Sequence, residues 1–442
     1  MKEKKIYKTL IVGAGPAGIG PLVLAARTNK LKKLLDSEVA ILEKGTQMGP
    51  GSIGSYIVNS DTYTTVLLEC LDGQQKGGVL ESVVYSNITH SLEKYRHMNA
   101  PLCLVGEFLS EIGKTLQTVV EQHPTSQFFP CTEVCSLQLS AEGTILTRAI
   151  TQIKDGLTIE QEFCSQKVVL ALGGKQHKED IIDQKNIQDS NLIKQITQKA
   201  LLSNFVLTQE GVDEIRKRLQ KSLSKKVLIV GGSHSAFATA WTLLNKVSEI
   251  KFGDGDIKIL HRNKIKLCYQ SRYEALDDGY TDFSDEDICP ATHKVYRLGG
   301  LRTDSKELYR QIIGASIERR ERRVTLVQMQ RDRSDLTNIK NYLREAALII
   351  YACGYDTNIV PIYSPDGSEI ELLCNHRGPI VDHSGRLLAK DGLPLSNILA
   401  IGLGAGFQYS EKLGGEKNFK GEINGVWIYQ NTIGEIILNQ IL

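Results

Sequence analysis

The chain has no run of about 18 consecutive apolar residues, which excludes a membrane-spanning helix of ordinary length. It has no C-x-x-C pair. Its nine cysteines stand singly at 70, 103, 131, 135, 164, 268, 289, 353 and 374, an odd, scattered set that fits neither a disulfide framework nor a structural zinc site. Such usage suits a reducing compartment, so a cytoplasmic location without a metal centre is expected. Charge of one sign is also missing. With a net charge of +2, nothing favours nucleic acid as a partner. Lys2, Lys4 and Lys5 ahead of an apolar stretch resemble a signal peptide, but Gly13, Gly15, Gly18 and Gly20 with Pro16 and Pro21 break that stretch up. What remains is a soluble globular composition, 41% hydrophobic and 24% charged, over 442 residues, enough for two to three domains.

The stretch that organises the chain lies at its start. Tyr7–Val12 reads as a buried strand, followed by Gly13-Ala14-Gly15-Pro16-Ala17-Gly18 and an apolar helix. G-x-G-x-x-G between a strand and a helix is a dinucleotide fingerprint. Gly13 allows the tight turn, Gly15 lets a pyrophosphate approach the backbone, and Gly18 lets the helix lie close to the strand. The helix start at Pro16 and Ala17 turns its positive end, and the unpaired N–H groups that follow the proline, toward phosphate. Ile41-Leu42-Glu43 reads as the next strand, with Glu43 placed to bind a ribose diol and Lys44 beside it as a further cofactor contact. The gap from Gly18 to Glu43 exceeds the ~20 residues usual for this motif, and 28–38 reads as the insertion.

A second signature lies mid-chain. Leu228-Ile229-Val230 precedes Gly231-Gly232-Ser233-His234-Ser235-Ala236 and then an apolar helix. Ser233 stands where the second glycine is expected, and Gly231, Ser233 and Ser235 are the candidate phosphate contacts. His234 reads as a helix-start residue. The following strand, 257–260, ends in His261-Arg262-Asn263-Lys264. No acid is present there to hold a ribose 2′-hydroxyl, whereas Arg262 and Lys264 suit a 2′-phosphate, which favours NADPH over NADH.

Between and after these signatures the pattern is mixed. Helices are expected within 91–120, and 131–163 alternates as a β-meander with turns at Gly143 and Gly156. Residues 167–174 read as a separate buried strand. Ile215, Leu219 and Leu223 are spaced for the core face of a helix. Residues 268–303 are irregular, with Asp277, Asp278, Asp282, Asp285, Glu286 and Asp287 interleaved with Tyr273, Tyr280 and Phe283: a cluster for a cationic substrate, or a solvated loop. Asp304 and Glu307 predict a capping box opening a helix to about Arg319. LIIYACGY ends a strand near Gly354. A last strand at 397–401 precedes Gly402, Gly404 and a terminal helix, an arrangement that can present backbone amides to a cofactor.

Taken in order, GAGPAG, Glu43, VVLALGG, GGSHSA, Arg262, YACGY and NILAIGLGAG resemble the two-dinucleotide-binding flavoproteins. Within these the chain is most similar to the class B flavin monooxygenases, especially the lysine and ornithine N-hydroxylases. GGSHSA resembles their G-x-G-x-S-A motif and ACGY their A-T-G-Y. The stretch Asp277–Arg302 loosely resembles their substrate-site insert. Gly402-Leu403-Gly404 lacks the aspartate usual there. The resemblance implies an α/β fold with two Rossmann-like domains, the second inserted in the first, plus a β-meander. It places an FAD domain at 1–222 and 335–442 and an NAD(P) domain at 223–334. It implies FAD and NADPH as cofactors, and a small nucleophilic substrate and O2 as reactants. The chemistry implied is a flavin C4a-hydroperoxide that oxygenates the substrate, amine N-hydroxylation being favoured, with Asn59 as the polar catalytic group at the flavin. Two alternatives stay open at this level: an NAD(P)H-dependent flavin oxidoreductase without oxygen transfer, and an FAD-binding regulator without catalysis. A flavin disulfide reductase would need paired cysteines beside the flavin, and the loop after Glu43 has none. The sequence leaves the oligomeric state open.

Overall fold

Short runs of Val, Ile and Leu bounded by glycine make the strands, and the helices between them cover both faces of two sheets. In this computed structural model residues 5–153, 156–176, 190–316, 319–329, 333–403 and 405–442 are described. The larger sheet is centred on β1 (Ile6–Val12), with β2 (Val39–Leu42) and then β3 (Gln127–Phe129) parallel on one side. β4 (Thr132–Leu139), β5 (Ile145–Gln152) and β6 (Thr158–Leu170) form an antiparallel meander. β6 is a single strand, not a hairpin arm plus a separate core strand. Its first half pairs with β5, and its last residues, Val168–Leu170, lie parallel to β1.

The chain then crosses through β7 (Gly174–Lys175) to a second sheet of β8 (Ala200–Leu202), β9 (Val227–Val230), β10 (Ile257–His261), β11 (Val324–Gln328) and β12 (Leu348–Tyr351). All are parallel, in the order β11-β10-β9-β12-β8. β8 and β12 carry this sheet beyond the 223–334 stretch read from the sequence on both sides. The return crossing, β13 (Asp356–Thr357), pairs antiparallel with β7. β14 (Ile362–Tyr363), β15 (Arg386–Leu388) and β16 (Pro394–Ala400) complete the first sheet, β16 lying parallel to β6.

The second sheet is apolar on both faces, as a covered parallel sheet must be. Val227 and Ile229 of β9 pack into the core beneath helices Gln209–Lys221 and His234–Lys246, while Leu228 packs into the opposite core with Leu192, Ile196 and Leu343. The insertion at 28–38 is a short helix, Leu31–Asp36. Two local readings are corrected. Leu223 is fully exposed, because its helix ends at Lys221, two residues short of that position. The helix expected to open on a box at Asp304 begins at Thr303 without a side-chain cap and stops at Ile313, where Gly314 turns left-handed at φ +75°. Asp304 is engaged elsewhere, as described below. Among the described residues no helix is long and apolar enough to cross a membrane.

Candidate functional site

The first glycine turn sits at the carboxyl end of β1, where open parallel sheets collect ligands. Gly13 has φ +92°, which a side chain would strain, and a Cβ there would collide with the Ala171 carbonyl. A Cβ on Gly18 would collide with the carbonyl of Gly13, so helix Pro16–Arg27 rests directly on the turn. Gly15 differs. A Cβ there would meet only the Cα of Gly51, at 3.7 Å, in ordinary contact. Packing forces Gly13 and Gly18, whereas Gly15 leaves a shallow space in front of the helix N-terminus. The chemistry there suits a pyrophosphate: bare backbone at Gly15, with N–H groups and the positive end of the helix dipole behind it.

Glu43, at the end of β2, accepts hydrogen bonds from the backbone N–H of Ala14 at 2.6 Å and of Gly45 at 2.7 Å. This fixes the acid beside the turn and leaves lone pairs for a diol. Lys44 is turned outward and pairs with Glu133 of the meander at 2.6 Å. From the far end of the chain Gly402, at φ +98°, comes so close to the turn that a Cβ would lie 2.8 Å from that of Ala17. Gly404 lies outside the described residues. The loop after Glu43 is held against the turn by the Gly49 N–H bonding to the Ala14 carbonyl at 2.8 Å. Helix Leu102–Glu121 backs the loop through Gly106 and Gly113, seven residues apart on one face, where any Cβ would strike Gly54 or Met48 backbone. The sequence spacing of these two glycines was the available signal for that contact.

The second turn follows the same plan with a difference. Gly231, at φ +139°, abuts the Ala352 carbonyl. Ser233 caps helix His234–Lys246 with φ −120°, an extended conformation that serine adopts freely, so no glycine is needed there. Its side chain makes no capping bond and is exposed at the helix start, with Ser235 two residues on. Arg262 follows β10, exposed, without a carboxylate partner among the described residues. Neighbouring Lys264 is engaged by Asp282 at 2.6 Å. A free guanidinium at this strand end fits a 2′-phosphate. Gly354, at φ +95°, lies beyond β12 against the guanidinium of Arg377, which bonds the Cys353 carbonyl. Gln176 binds the Gly354 carbonyl at 3.2 Å and the Asn204 N–H at 3.0 Å, tying the first crossing to the second sheet.

Between the two turns lies a polar cluster that sequence reading missed, because its members are far apart in the chain. Asn59, exposed on the loop that follows β2, donates to Asp304 of helix Thr303–Ile313 at 2.9 Å. Two residues on, Asp61 lies 3.6 Å from the Arg302 guanidinium and 3.9 Å from His234 Nε2. His234 opens a helix as expected, but it also accepts the Arg302 backbone N–H on Nε2 at 3.1 Å, which assigns a neutral ring with the proton on Nδ1. Burial lowers its pKa below 6.5, and Arg302 adds to this against the opposing pull of Asp61. Burial opposes the charge on Asp61, yet His234, once protonated, and Arg302 outweigh it and hold the carboxyl below its usual range.

A pH dependence follows. With a folded pKa under that of the free ring, His234 stays neutral in the fold while the unfolded chain takes up a proton below about pH 6.5. Stability therefore falls as pH drops through that value, by at most about 1.4 kcal/mol per pH unit for this group. His234→Gln is expected to flatten the change in urea midpoint between about pH 7 and pH 5.5. An unchanged slope would place the titration elsewhere.

The fold has solved counterparts. The ornithine hydroxylase of Pseudomonas aeruginosa superposes with a TM-score of 0.54 at 15% identity, over 99% of each chain. The L-lysine 6-monooxygenase of Pseudomonas syringae gives 0.53 at 14%, over 98% of this chain and 99% of that one. The ornithine N-hydroxylase of Kutzneria sp., solved with reduced FAD, NADP+ and L-ornithine, gives 0.51 at 11%, over 99% of each. No family model matches the chain. In sequence, the CMP-5′-(3-aminopropyl)phosphonate hydroxylase of Streptomyces rubellomurinus is 30% identical over 444 aligned positions, spanning 99% of this chain and 97% of that protein. The chain belongs to the class B flavin monooxygenases. The monooxygenase brings together Gly13, Gly15, Pro16, Ala17, Gly18, Glu43 and Gly402 at its first turn, and Gly231, Ser233, Ser235 and Arg262 at its second. Asn59 stands between them on Asp304, and Lys44 stands apart on the meander.

Proposed function

We propose that this monooxygenase binds FAD at the first turn and NADPH at the second, and N-hydroxylates a primary amine on a substrate bearing an anionic nucleotidyl-phosphonate group. The observation that carries the reading is end-to-end 30% identity with an aminopropylphosphonate nucleotide hydroxylase, joined to two phosphate cradles of the right chemistry. The first sheet is read as the FAD domain. The second, entered and left through the paired crossings β7 and β13, is read as an NADPH domain inserted within it.

The residues have distinct tasks in this reading. The space at Gly15 and the helix behind it take the FAD pyrophosphate, and Glu43 takes the adenosine ribose. Gly402 brings backbone toward the flavin, and Gly354 lines the crossing next to the nicotinamide domain. Ser233 and Ser235 donate to the NADPH pyrophosphate, and Arg262 neutralises the 2′-phosphate. Asn59, positioned by Asp304, is the polar group between flavin and nicotinamide. FAD held there would supply the redox chemistry, hydride acceptance from NADPH and activation of O2 for transfer to a nucleophile. The protein's own share is to orient the amine, hold it neutral so that its lone pair is available, and exclude water. The balance is R–NH2 + O2 + NADPH + H+ giving R–NHOH + NADP+ + H2O.

The test is amine-dependent NADPH oxidation by purified holoprotein, scored by hydroxylamine formed per NADPH consumed. A ratio approaching one with a cytidylyl aminoalkylphosphonate is expected. Hydrogen peroxide in place of hydroxylamine across a panel of amines would replace this reading with a simple oxidase, and no flavin reduction at all would point to a non-catalytic flavin protein.

A further inference from the structure

The irregular segment 268–303 was read from the sequence either as a cluster for a cationic substrate or as a solvated loop. In the fold it forms one wall of a cleft of about 570 Å³, inside the size range of small-molecule sites. Six residues give the cleft its character: Arg272, Tyr273, Asp285, Glu286, His293 and Lys417. The mixture is unusual for a solvated loop. Tyr273 is 83% exposed, its ring free to stack. Arg272 is braced, paired with Asp285 and lying 6.0 Å from the centroid of Phe283. His293 is held in left-handed backbone at φ +57°, its N–H bonded to the Cys289 carbonyl at 2.8 Å. Among the described residues Lys417 and His293 have no carboxylate partner, and Glu286 has no cationic one. The wall carrying Lys417 is fastened across the cleft, where Asn418 donates to the Glu286 carbonyl at 3.3 Å and to Asp287 Oδ1 at 3.2 Å.

We propose that this cleft is a pyrimidine-nucleotide subsite that holds the substrate by its nucleotide end and selects cytosine. The assignment rests on the N-hydroxylase reading above for the identity of the bound molecule, and on the cleft alone for its chemistry. Three features of a nucleotide are met at once. Lys417, without a carboxylate partner among the described residues, supplies positive charge for a phosphate or phosphonate, and Arg272 and His293 add N–H donors from the same lining. The exposed Tyr273 ring supplies a stacking surface for a base. Glu286 accepts from an exocyclic amino group, which cytosine has and uracil lacks; the uracil O4 would face its carboxylate oxygens with no donor between them. An amino acid such as ornithine has neither a base to stack nor a diester to neutralise, and leaves most of this set unused. The same segment runs on from the cleft to Arg302, whose N–H meets His234 at the second glycine turn. One continuous stretch therefore contributes both to the cleft and to the place where the cofactor domains meet.

The experiment is calorimetric titration of holoprotein, with NADP+ saturating so that the nicotinamide cradle is filled, using CMP, UMP and AMP as probes. CMP is expected to bind, with UMP weaker by roughly tenfold or more, as for a mismatched hydrogen-bonding edge. Lys417→Ala and Tyr273→Ala are each expected to weaken CMP by roughly tenfold, and Glu286→Gln to narrow the CMP-to-UMP ratio. Flavin absorbance of each variant reports that it is folded. Absence of CMP binding, or CMP binding that none of these substitutions changes, overturns the assignment. The two readings separate cleanly. Holoprotein that binds CMP in this pattern but forms no hydroxylamine keeps the cleft and removes N-hydroxylation. Equal kcat/KM for a free aminoalkylphosphonate and its cytidylyl ester keeps N-hydroxylation and overturns the cleft.

Discussion

Gly15→Val is expected to give a folded protein without flavin. The backbone at Gly15 is extended, with φ −68° and ψ −171°, which valine accepts, and a Cβ meets nothing closer than the Gly51 Cα at 3.7 Å. The fold therefore tolerates the change. The added methyls instead occupy the space that the pyrophosphate needs, an overpacking cost of about 1–3 kcal/mol that falls on the complex alone, or roughly 5- to 150-fold in FAD affinity. Gly18→Val is the contrasting variant. Its side chain would drive into the Gly13 carbonyl, and loss of the fold itself is expected. Circular dichroism with flavin absorbance per mole of protein separates the two. Yellow, stoichiometric Gly15→Val protein would remove the first cradle from the FAD assignment.

Arg262→Ala is expected to raise KM for NADPH by roughly 10- to 150-fold, the size of a lost charge-assisted contact, and to move KM for NADH by no more than about twofold. The contrast arises because NADH has no 2′-phosphate. Lys264 cannot replace the lost charge cheaply, since it is held by Asp282 at 2.6 Å and would have to leave that partner. The NADPH preference should also weaken with salt in the parent protein and far less in the variant, because a 2′-phosphate bound at an exposed cation is screened. Steady-state kinetics with both nucleotides at two ionic strengths measures this. Parallel changes for NADPH and NADH would put the 2′-phosphate elsewhere.

The parts of the fold that could be read from the chain were those set by local chemistry. β1 with its glycine turn and helix, β9 with its own and the meander were legible, because hydrophobic period and glycine placement act over a few residues; the single terminal helix expected is two, Val426–Tyr429 and Thr432–Ile441. Boundaries failed where the signal was not local. β6 looked like two strands because its first half serves the meander and its second the parallel sheet, and the polar residues between them hide the continuity. Leu223 had the right spacing for a core position, but the helix stopped before reaching it. Asp304 had the right neighbours for a cap, but its carboxylate is engaged by Asn59, 245 residues away in the chain.

By itself the sequence determined the two glycine turns between strand and helix, the missing acid and present arginine after β10, and the want of paired cysteines. Each is a matter of which residue type stands at a given step from a strand end, and that is written in the chain. Only the tertiary structure decided that Gly15 is spared from packing while Gly13 and Gly18 are not, that Lys264 is engaged and Arg262 free, and that Asp61, His234 and Arg302 meet. It also decided that an acid-rich, irregular stretch is one wall of a cleft that Lys417 lines as well. These are consequences of which distant surfaces come within a few ångströms, and contact between remote segments leaves no periodic trace in either one.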